Sequence, residues 1–555
     1  MQETVSEFLS QLNDTLVYKF PPLRYLIKFD VMDLFNFSSG LGDFLLSEPL
    51  KFSIICNDIF YACLKSSDNH LKEFIQPSQV AVTIRLKSLP RILSRPSTHR
   101  YENIVTFNGL LLTVSKLTSN VFHTVWSCPE ECEGNEVILH YIPKSPPKCQ
   151  ICKSVMFENS GLRQCGEQVT ATFKLKSELL SKKFVVTDDL IPLLKLGSVY
   201  LIHTIALKKT VAVWSIEEVV NFPAPVTYCS PKDIRDLYNS CGGVPWKFIY
   251  CLASSIGVNI CPLNCFINVK MNLLLSLTSV KAHAYDGSTI VHYFSVGSDT
   301  GYIGKLMSEG ALLADRHVAL GVANSSVETA LTASSSGVCL LPLPLHVYSP
   351  KQINSLLTAI ETWEVVQDSG KSDLKCAVWA QGTEFKKDNL GNISSILGVL
   401  SRGDIGEETD ELADFVLQQA IEPPQATDEE VKALRDLAEY IDIVAGLSVT
   451  ISDDAENLLR NYFLAARKER PNAISVAGMG ALVAICMTSA RLCRRITTSI
   501  EDAIFSIWLH AAGLPEPRFA PDEYLQMVDV KKTQKIIDLF VPWLEQFTGT
   551  AILQT

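Results

Sequence analysis

At 555 residues the chain is too long for a single hydrophobic core, and about three or four domains are expected. Its 47% apolar and 20% charged residues are globular proportions, which exclude a disordered chain. The formal net charge of -11, from 60 acidic against 49 basic residues, excludes a protein that coats nucleic acid by bulk attraction, so any such contact has to come from a local basic patch.

In chain order, "VSEFLSQLNDTL" (5–16) has helical spacing, and the N-terminus lacks the basic and apolar regions of a secretory signal, which points to an intracellular chain. Residues 1–100 read as an N-terminal helical domain ending in the proline-marked loop "LSRPSTHRY". From 101 to 222, "IVTFNGLLLTVSKL", "QVTATFKL", "SVYLIHTIAL" and "VAVWSIEEVV" are β-branched, turn-separated strands of a small barrel or sandwich. A linker with helices follows over 223–275, with Ser230 as an N-cap and Pro231 as the first helical residue. Strands alternate with helices over 276–425, the signature of a parallel sheet. Residues 426–512 are all-helical, opening on a capping box of Thr427 and Glu430, and 513–555 form a C-terminal tail. The uncharged run "AISVAGMGALVAICMTSA" (473–490) is expected to be a buried helix and not a membrane span, since no second span accompanies it. The fold class is thus multidomain, α+β and α/β.

Of the 16 cysteines, most stand singly in apolar runs and read as buried thiols. Four do not. Cys128 and Cys132 form a CxxxC hook, and Cys149 and Cys152 a CxxC hook. Two hooks of two thiolates each meet the needs of a tetrahedral zinc ion with no open position, which is a structural site. Cys165 is a fifth thiol within reach in sequence, and His140 reads as a strand residue. A zinc ribbon inserted in a small barrel suggests an OB-fold, a class that commonly binds single strands. The nearest basic segment, "FKLKSELLSKKF", offers Lys174, Lys176, Lys182 and Lys183 to DNA, or else is a solvated hairpin face.

In "VGSDTGYIGKLM", Gly297, Gly301, Gly304 and Lys305 supply the residue types of a phosphate loop, but not at GxxxxGK[ST] spacing. The strand "SGVCLLPLPL" ends in Pro342, Leu343 and Pro344, with no carboxylate for a magnesium ion or a water.

This order of parts resembles the minichromosome maintenance (MCM) family, whose typical members are hexameric AAA+ DNA helicases. The resemblance is carried by "CLASSIGVNICPLNCFINVKMNLLLSL" (251–277), by "ASSSGVCLL" (333–341), which is similar to the family's "LADRGVCLIDE", and by the lid-like stretch 451–509 with its "ARKERPN". It implies a degenerate AAA+ module and a C-terminal helical lid. Laid on the family's "GDPGTAKSQ", the chain reads "GSDTGYIGK", with Ile303 for the lysine and Gly304 for the serine. Leu341, Pro342 and Leu343 replace the "IDE" carboxylates, and Thr383, Ile393 and Ala477 fall near the sensor, finger and lid positions. No acidic residue lies in 331–360 and no arginine in 385–400, so the resemblance implies a chain without ATPase chemistry. Loss of every ATP-handling group resembles a divergent branch of the family. That likeness implies a nuclear role in meiotic recombination and homology-directed repair of DNA double-strand breaks, with DNA and recombination or MCM-like proteins as partners. An inactive subunit of a hetero-oligomeric MCM helicase in replication is the alternative.

Overall fold

The computed structural model describes residues 22–552 apart from 67–74, 88, 90–102, 133–135, 177–179, 208–209, 220–229, 323–324, 369, 384–392, 394–395, 403–408, 422–426, 472–473, 515–516 and 527–528. The helical pattern at 5–16 lies outside the described residues. The chain divides into two compact units, 1–219 and 220–555.

The first unit opens with β1 (Leu23–Asp30), followed by α1 (Val31–Phe37), α2 (Ser39–Ser47), α3 (Pro49–Ser66) and β2 (Val80–Lys87). The helical start expected from the sequence is joined by a strand pair. The three helices are present, but β1 and β2 pair in parallel from Leu23↔Val80 to Asp30↔Lys87. The physical reason lies in α3, which buries Phe52, Cys56, Phe60 and Leu64 at four-residue spacing, a stripe that needs a flat apolar partner. The strand pair supplies it: Tyr25 stacks on Phe60 at 5.1 Å, and the Asn57 side-chain oxygen accepts from the Val82 N–H at 2.7 Å.

Next come β3 (Val105–Val114), β4 (Thr118–Ser127), β5 (Val137–Leu139), β6 (Phe157–Glu158), β7 (Gln164–Leu175), β8 (Ser181–Thr187), β9 (Val199–Ala206) and β10 (Val211–Glu218). Five of them close on themselves in the order β3-β9-β10-β8-β7-β3, antiparallel except where β10 meets β8 in parallel at Ala212↔Val185. Alternate residues of each strand fill the ring, among them Val169, Ala171, Phe173, Phe184, Tyr200 and Ile202. β4, β5 and β6 stand off the ring as an insertion between β3 and β7, with β4 pairing β7, β5 and β6.

The second unit begins with α4 (Lys232–Ser240), α5 (Pro245–Ser254) and α6 (Ile267–Asp286). Ser230 is not the N-cap, since α4 starts at Lys232 and the Ser230 hydroxyl accepts from Arg494 Nη1 at 3.2 Å. α6 runs through 275–276, so the segment boundary expected there falls inside a helix. α6 is buried almost all round, and its Lys270 ammonium is satisfied by the carbonyls of Pro262 and Leu263 at 3.1 and 3.3 Å.

Around α6 packs an α/β layer: β11 (Tyr293–Val296), α7 (Thr300–Ala311), β12 (His317–Ala319), α8 (Val327–Ala333), β13 (Val338–Pro344), α9 (Pro350–Thr362), the hairpin β14 (Glu364–Gln367) and β15 (Gly370–Asp373), β16 (Ala377–Gly382) and β17 (Leu400–Arg402). The five-stranded sheet has the order β12-β13-β16-β11-β17 and is parallel throughout. Its strands read as apolar runs because helices cover them.

The rest of the unit is helical: α10 (Thr409–Ile421), α11 (Asp428–Ala445), α12 (Asp453–Glu469), α13 (Val476–Leu492), α14 (Ile500–Gly513) and α15 (Val530–Thr548). The capping box of α11 is formed, with the Thr427 hydroxyl accepting from the Glu430 N–H and the Glu430 carboxylate from the Thr427 N–H. α13, the uncharged run, packs among α6, α12 and α14, and its last turn carries Arg491, which is buried and paired with Asp286 at 2.6 Å. Among the described residues no helix is long and apolar enough to cross a membrane.

Candidate functional site

Both cysteine hooks hang from the insertion. Cys128 and Cys132 follow directly on the end of β4, and Cys149 and Cys152 sit at the tip of a short antiparallel turn bridged at Lys148↔Val155 that leads into β6. Because β6 pairs with the last residues of β4, through Trp126↔Glu158 and Ser127↔Phe157, the two hooks are brought face to face.

The four Sγ atoms lie within 4.8 Å of one another. Ligands of a tetrahedral zinc at a Zn–S distance of about 2.3 Å stand about 3.8 Å apart, so the cluster closes on such an ion without rearranging the backbone. Glu131 at φ 50 and Lys153 at φ 60 hold the tight left-handed turns of the hooks, and the N–H groups of Ile151 and Cys152 both donate to Cys149 Sγ at 3.3 Å. Cys152 is held down to about 6 mainly by hydrogen bonds from Ser154, whereas Cys132 is pushed up to about 12, chiefly by burial. A cation among the four reverses the second effect. The donor set, all sulfur and with no fifth group among the described residues, suits a structural metal ion. Cys165 lies outside the cluster, on β7 opposite Val121. His140 follows β5, exposed, with Nδ1 3.2 Å from the Phe122 carbonyl.

Of the four lysines, the β7–β8 register divides the group. Lys174 pairs with Ser181, and Lys183 with Thr172, on the outward face, and Lys176 is exposed just beyond β7. Lys182 lies opposite Phe173 on the inward face, with its ammonium 5.2 Å from the centre of the Phe107 ring. A cation held over an aromatic face at the barrel end closes the core, which separates Lys182 from the other three.

The turn after β11, expected to be a degenerate phosphate loop, also departs from one in its backbone, in a way that residue types alone do not reveal. α7 starts at Thr300, so only Gly297, Ser298 and Asp299 link strand to helix, and Gly301 and Gly304 lie inside the helix. The N–H groups of Tyr302 and Ile303 already donate to the Asp299 carbonyl, at 3.1 and 3.2 Å. None of the three glycines has a positive φ. A phosphate cradle needs converging backbone N–H groups, and two of those at the start of α7 are engaged within its own first turn. Asp299 also puts a carboxylate at the N-cap position, where an anion would otherwise be drawn.

The substituted side chains are built into the packing. Ile303 is fully buried, and at Gly304 an added Cβ would stand 2.4 Å from the Pro342 carbonyl oxygen and 2.8 Å from Gln381 Nε2. Lys305 points outward, its ammonium 5.7 Å from the Tyr302 ring centre. Installing Ile303→Lys with Gly304→Ser is therefore expected to lower the melting temperature, by overpacking and charge burial of about 1–3 kcal/mol or more, and to create no ATP turnover. Thermal denaturation and a phosphate-release assay check both parts.

Along the outer face of α7 runs a cavity of about 1150 Å³, lined by Gly301, Lys305 and Leu312, by the end of β13 (Pro342, Leu343) and by Leu434 of α11. Among its described lining residues Glu309 is the one carboxylate; burial raises it above the usual range and it accepts from the Gly257 N–H. Residue types alone do not reveal the short turn or the burial of His292. Counting the residues between the end of the apolar strand and the first helical spacing would have found the former.

The comparisons with known proteins support an MCM-like protein. The chain is similar over 88% of its length to minichromosome maintenance domain-containing protein 2, and its residues 1–89 match the family model described as "MCMDC2, N-terminal domain". The rat and human proteins of that name are each 19% identical to it, with 86% of each covered, and the mouse protein is 20% identical, with 85% covered.

Proposed function

We propose that this chain is a non-catalytic, DNA-associated MCM-like protein of the nucleus, acting in meiotic recombination and homology-directed repair of DNA double-strand breaks. The observation that carries the non-catalytic reading is the three-residue β11–α7 turn, which puts the Asp299 carboxylate at the N-cap of α7, where a phosphate would otherwise be drawn.

Two further readings fit the same frame. The closed ring with its parallel β10–β8 contact supports an OB-fold, and the four thiols of its insertion support a zinc ribbon held by Cys128, Cys132, Cys149 and Cys152. The sheet order, with the fourth parallel strand β16 lying between the first, β11, and the third, β13, supports a degenerate AAA+ module, and α11–α14 its lid. In this reading zinc supplies no chemistry to a substrate. It shapes the insertion, while Lys174, Lys176 and Lys183 present charge to single-stranded DNA or a recombination intermediate, and the α/β module serves as an assembly surface for recombination or MCM-like proteins.

Purified full-length protein tests this. Binding to a single-stranded oligonucleotide is expected to weaken with salt, and Ala at Lys174, Lys176 and Lys183 each to reduce the salt slope by about 0.7. Lys182→Ala is expected to lower stability instead and leave the slope alone. ATP turnover is expected to be undetectable. Turnover abolished by Lys305→Ala would sink the non-catalytic reading, and co-purification with replicative MCM subunits would favour an inactive helicase subunit.

A further inference from the structure

α3 is amphipathic in the ordinary sense on its inner side only. Its outer side carries Leu50, Ile54, Ile55 and Ile59, each 45–59% exposed, in a helix whose inner stripe is already satisfied by β1 and β2. Ile54 and Ile55 lie within the exposed half of the helix, with Leu50 and Ile59 at its two edges, and so many exposed branched aliphatics on one helix mark an interaction surface.

The charges on that face specify the partner. Between the aliphatics stand two exposed charged residues, Lys51 and Asp58, and they are related by a two-fold symmetry of the sequence itself. If a second copy of α3 lies antiparallel about an axis passing between Ile54 and Ile55, Lys51 is level with Asp58 of the copy, and Asp58 with Lys51 of the copy. The same axis sets Ile54 and Ile55 against their counterparts and puts Leu50 level with Ile59 at each end. A closed, isologous interface requires self-complementarity of this kind, whereas an unrelated partner does not.

We propose that the outer face of α3 is a homodimer interface in which two copies of this chain pair antiparallel through Ile54 and Ile55, flanked by two Lys51–Asp58 ion pairs. Lys51 also reaches Glu48 one turn earlier, at 2.5 Å, an exposed pair that the dimer contact extends into a short network. The helix is about 27 Å long, so one face buries far less than the ~800 Å² per partner of a standard interface. The pairing is accordingly weak and concentration-dependent, a contact that assembly on DNA or with other subunits would reinforce through local concentration.

Sedimentation equilibrium of the full chain under reducing conditions, over a wide range of concentration, is the test. The mass is expected to rise from the 61.4 kDa of one chain towards twice that value. Ile55→Asp, which symmetry places in the interface twice, is expected to leave a monomer at every concentration. Lys51→Glu and Asp58→Lys, each of which creates two like-charge contacts, are expected to raise the dissociation constant roughly fivefold apiece. The double exchange K51E/D58K is expected to bring it back towards the starting value, a recovery that damage to the fold could not produce. All of these positions are exposed, so unchanged melting curves verify that the variants remain folded. A chain that stays monomeric throughout overturns the proposal. So does a dimer indifferent to Ile55→Asp, or a double exchange no tighter than the single variants.

Discussion

Cys149→Ser is expected to strip the bound metal from the full-length protein and to leave residues 128–158 open to protease, while the closed barrel and the second unit keep their resistance. The hydrophobic cluster of that insertion consists of Trp126, Cys128, Cys149 and Met156, two of which are themselves candidate ligands. A cluster of this size, even with Val137 and Leu139 packed against it, is small for ordering some thirty residues against their chain entropy, so a metal ion is expected to act as the core. Structural zinc sites of this kind bind with apparent free energies of about 10–16 kcal/mol near neutral pH, and deleting one thiolate removes much of that. Metal analysis of wild type purified under reducing conditions should give about one equivalent of zinc per chain. A content near zero would end the metal assignment. Protection of the insertion that survived both chelation and Cys149→Ser would show that the four thiols pack without an ion.

Acidification is expected to destabilise the protein between about pH 6.5 and about pH 4, well before general carboxylate protonation. His292 is 3% exposed beside Trp363, and burial depresses it from 6.5 to about 4. Its Nδ1 accepts from the Val378 N–H at 3.2 Å, which leaves no place for a second ring proton. His203, buried in the barrel with Nδ1 2.9 Å from Thr106 Oγ1, is depressed to about 4 for the same reason. Below 6.5 the unfolded chain takes up protons at these rings and the folded chain does not, so the stability they contribute is fully present above 6.5 and is lost as the pH falls towards 4. Each ring accounts for up to about 3 kcal/mol by the end of that range. Denaturant melts at a series of pH values measure it, with His292→Gln, which keeps an acceptor but does not titrate, expected to remove one ring's share from the second unit, where burial depresses His510 to about 4 in the same way. An unchanged pH profile in that variant would refute the assignment.

Much of this was legible in the residues. The hooks could be read because two short cysteine spacings separated by a strand-length segment define a metal site locally. The Thr427–Glu430 capping box formed as expected because an N-cap depends on the first turn of its own helix and little else. The β1–β2 pair was not legible, since two strands about fifty residues apart that pair in parallel leave no turn signal between them. Nor was the division of the lysines, because one side of a hairpin differs from the other only through register.

What the amino-acid order determined by itself was chemistry and local geometry: four thiols in two hooks, no acidic residue in 331–360, no arginine in 385–400, and apolar runs alternating with helical ones. Only the tertiary structure decided what those residues can do. Gly301, Gly304 and Lys305 have the composition of a phosphate loop, yet α7 begins at Thr300 with the Asp299 carboxylate at its N-cap, and the β13 carbonyl fills the space beside Gly304. Whether a glycine frees a backbone or admits a neighbouring strand depends on what packs against it, and that packing is a long-range property of the sheet.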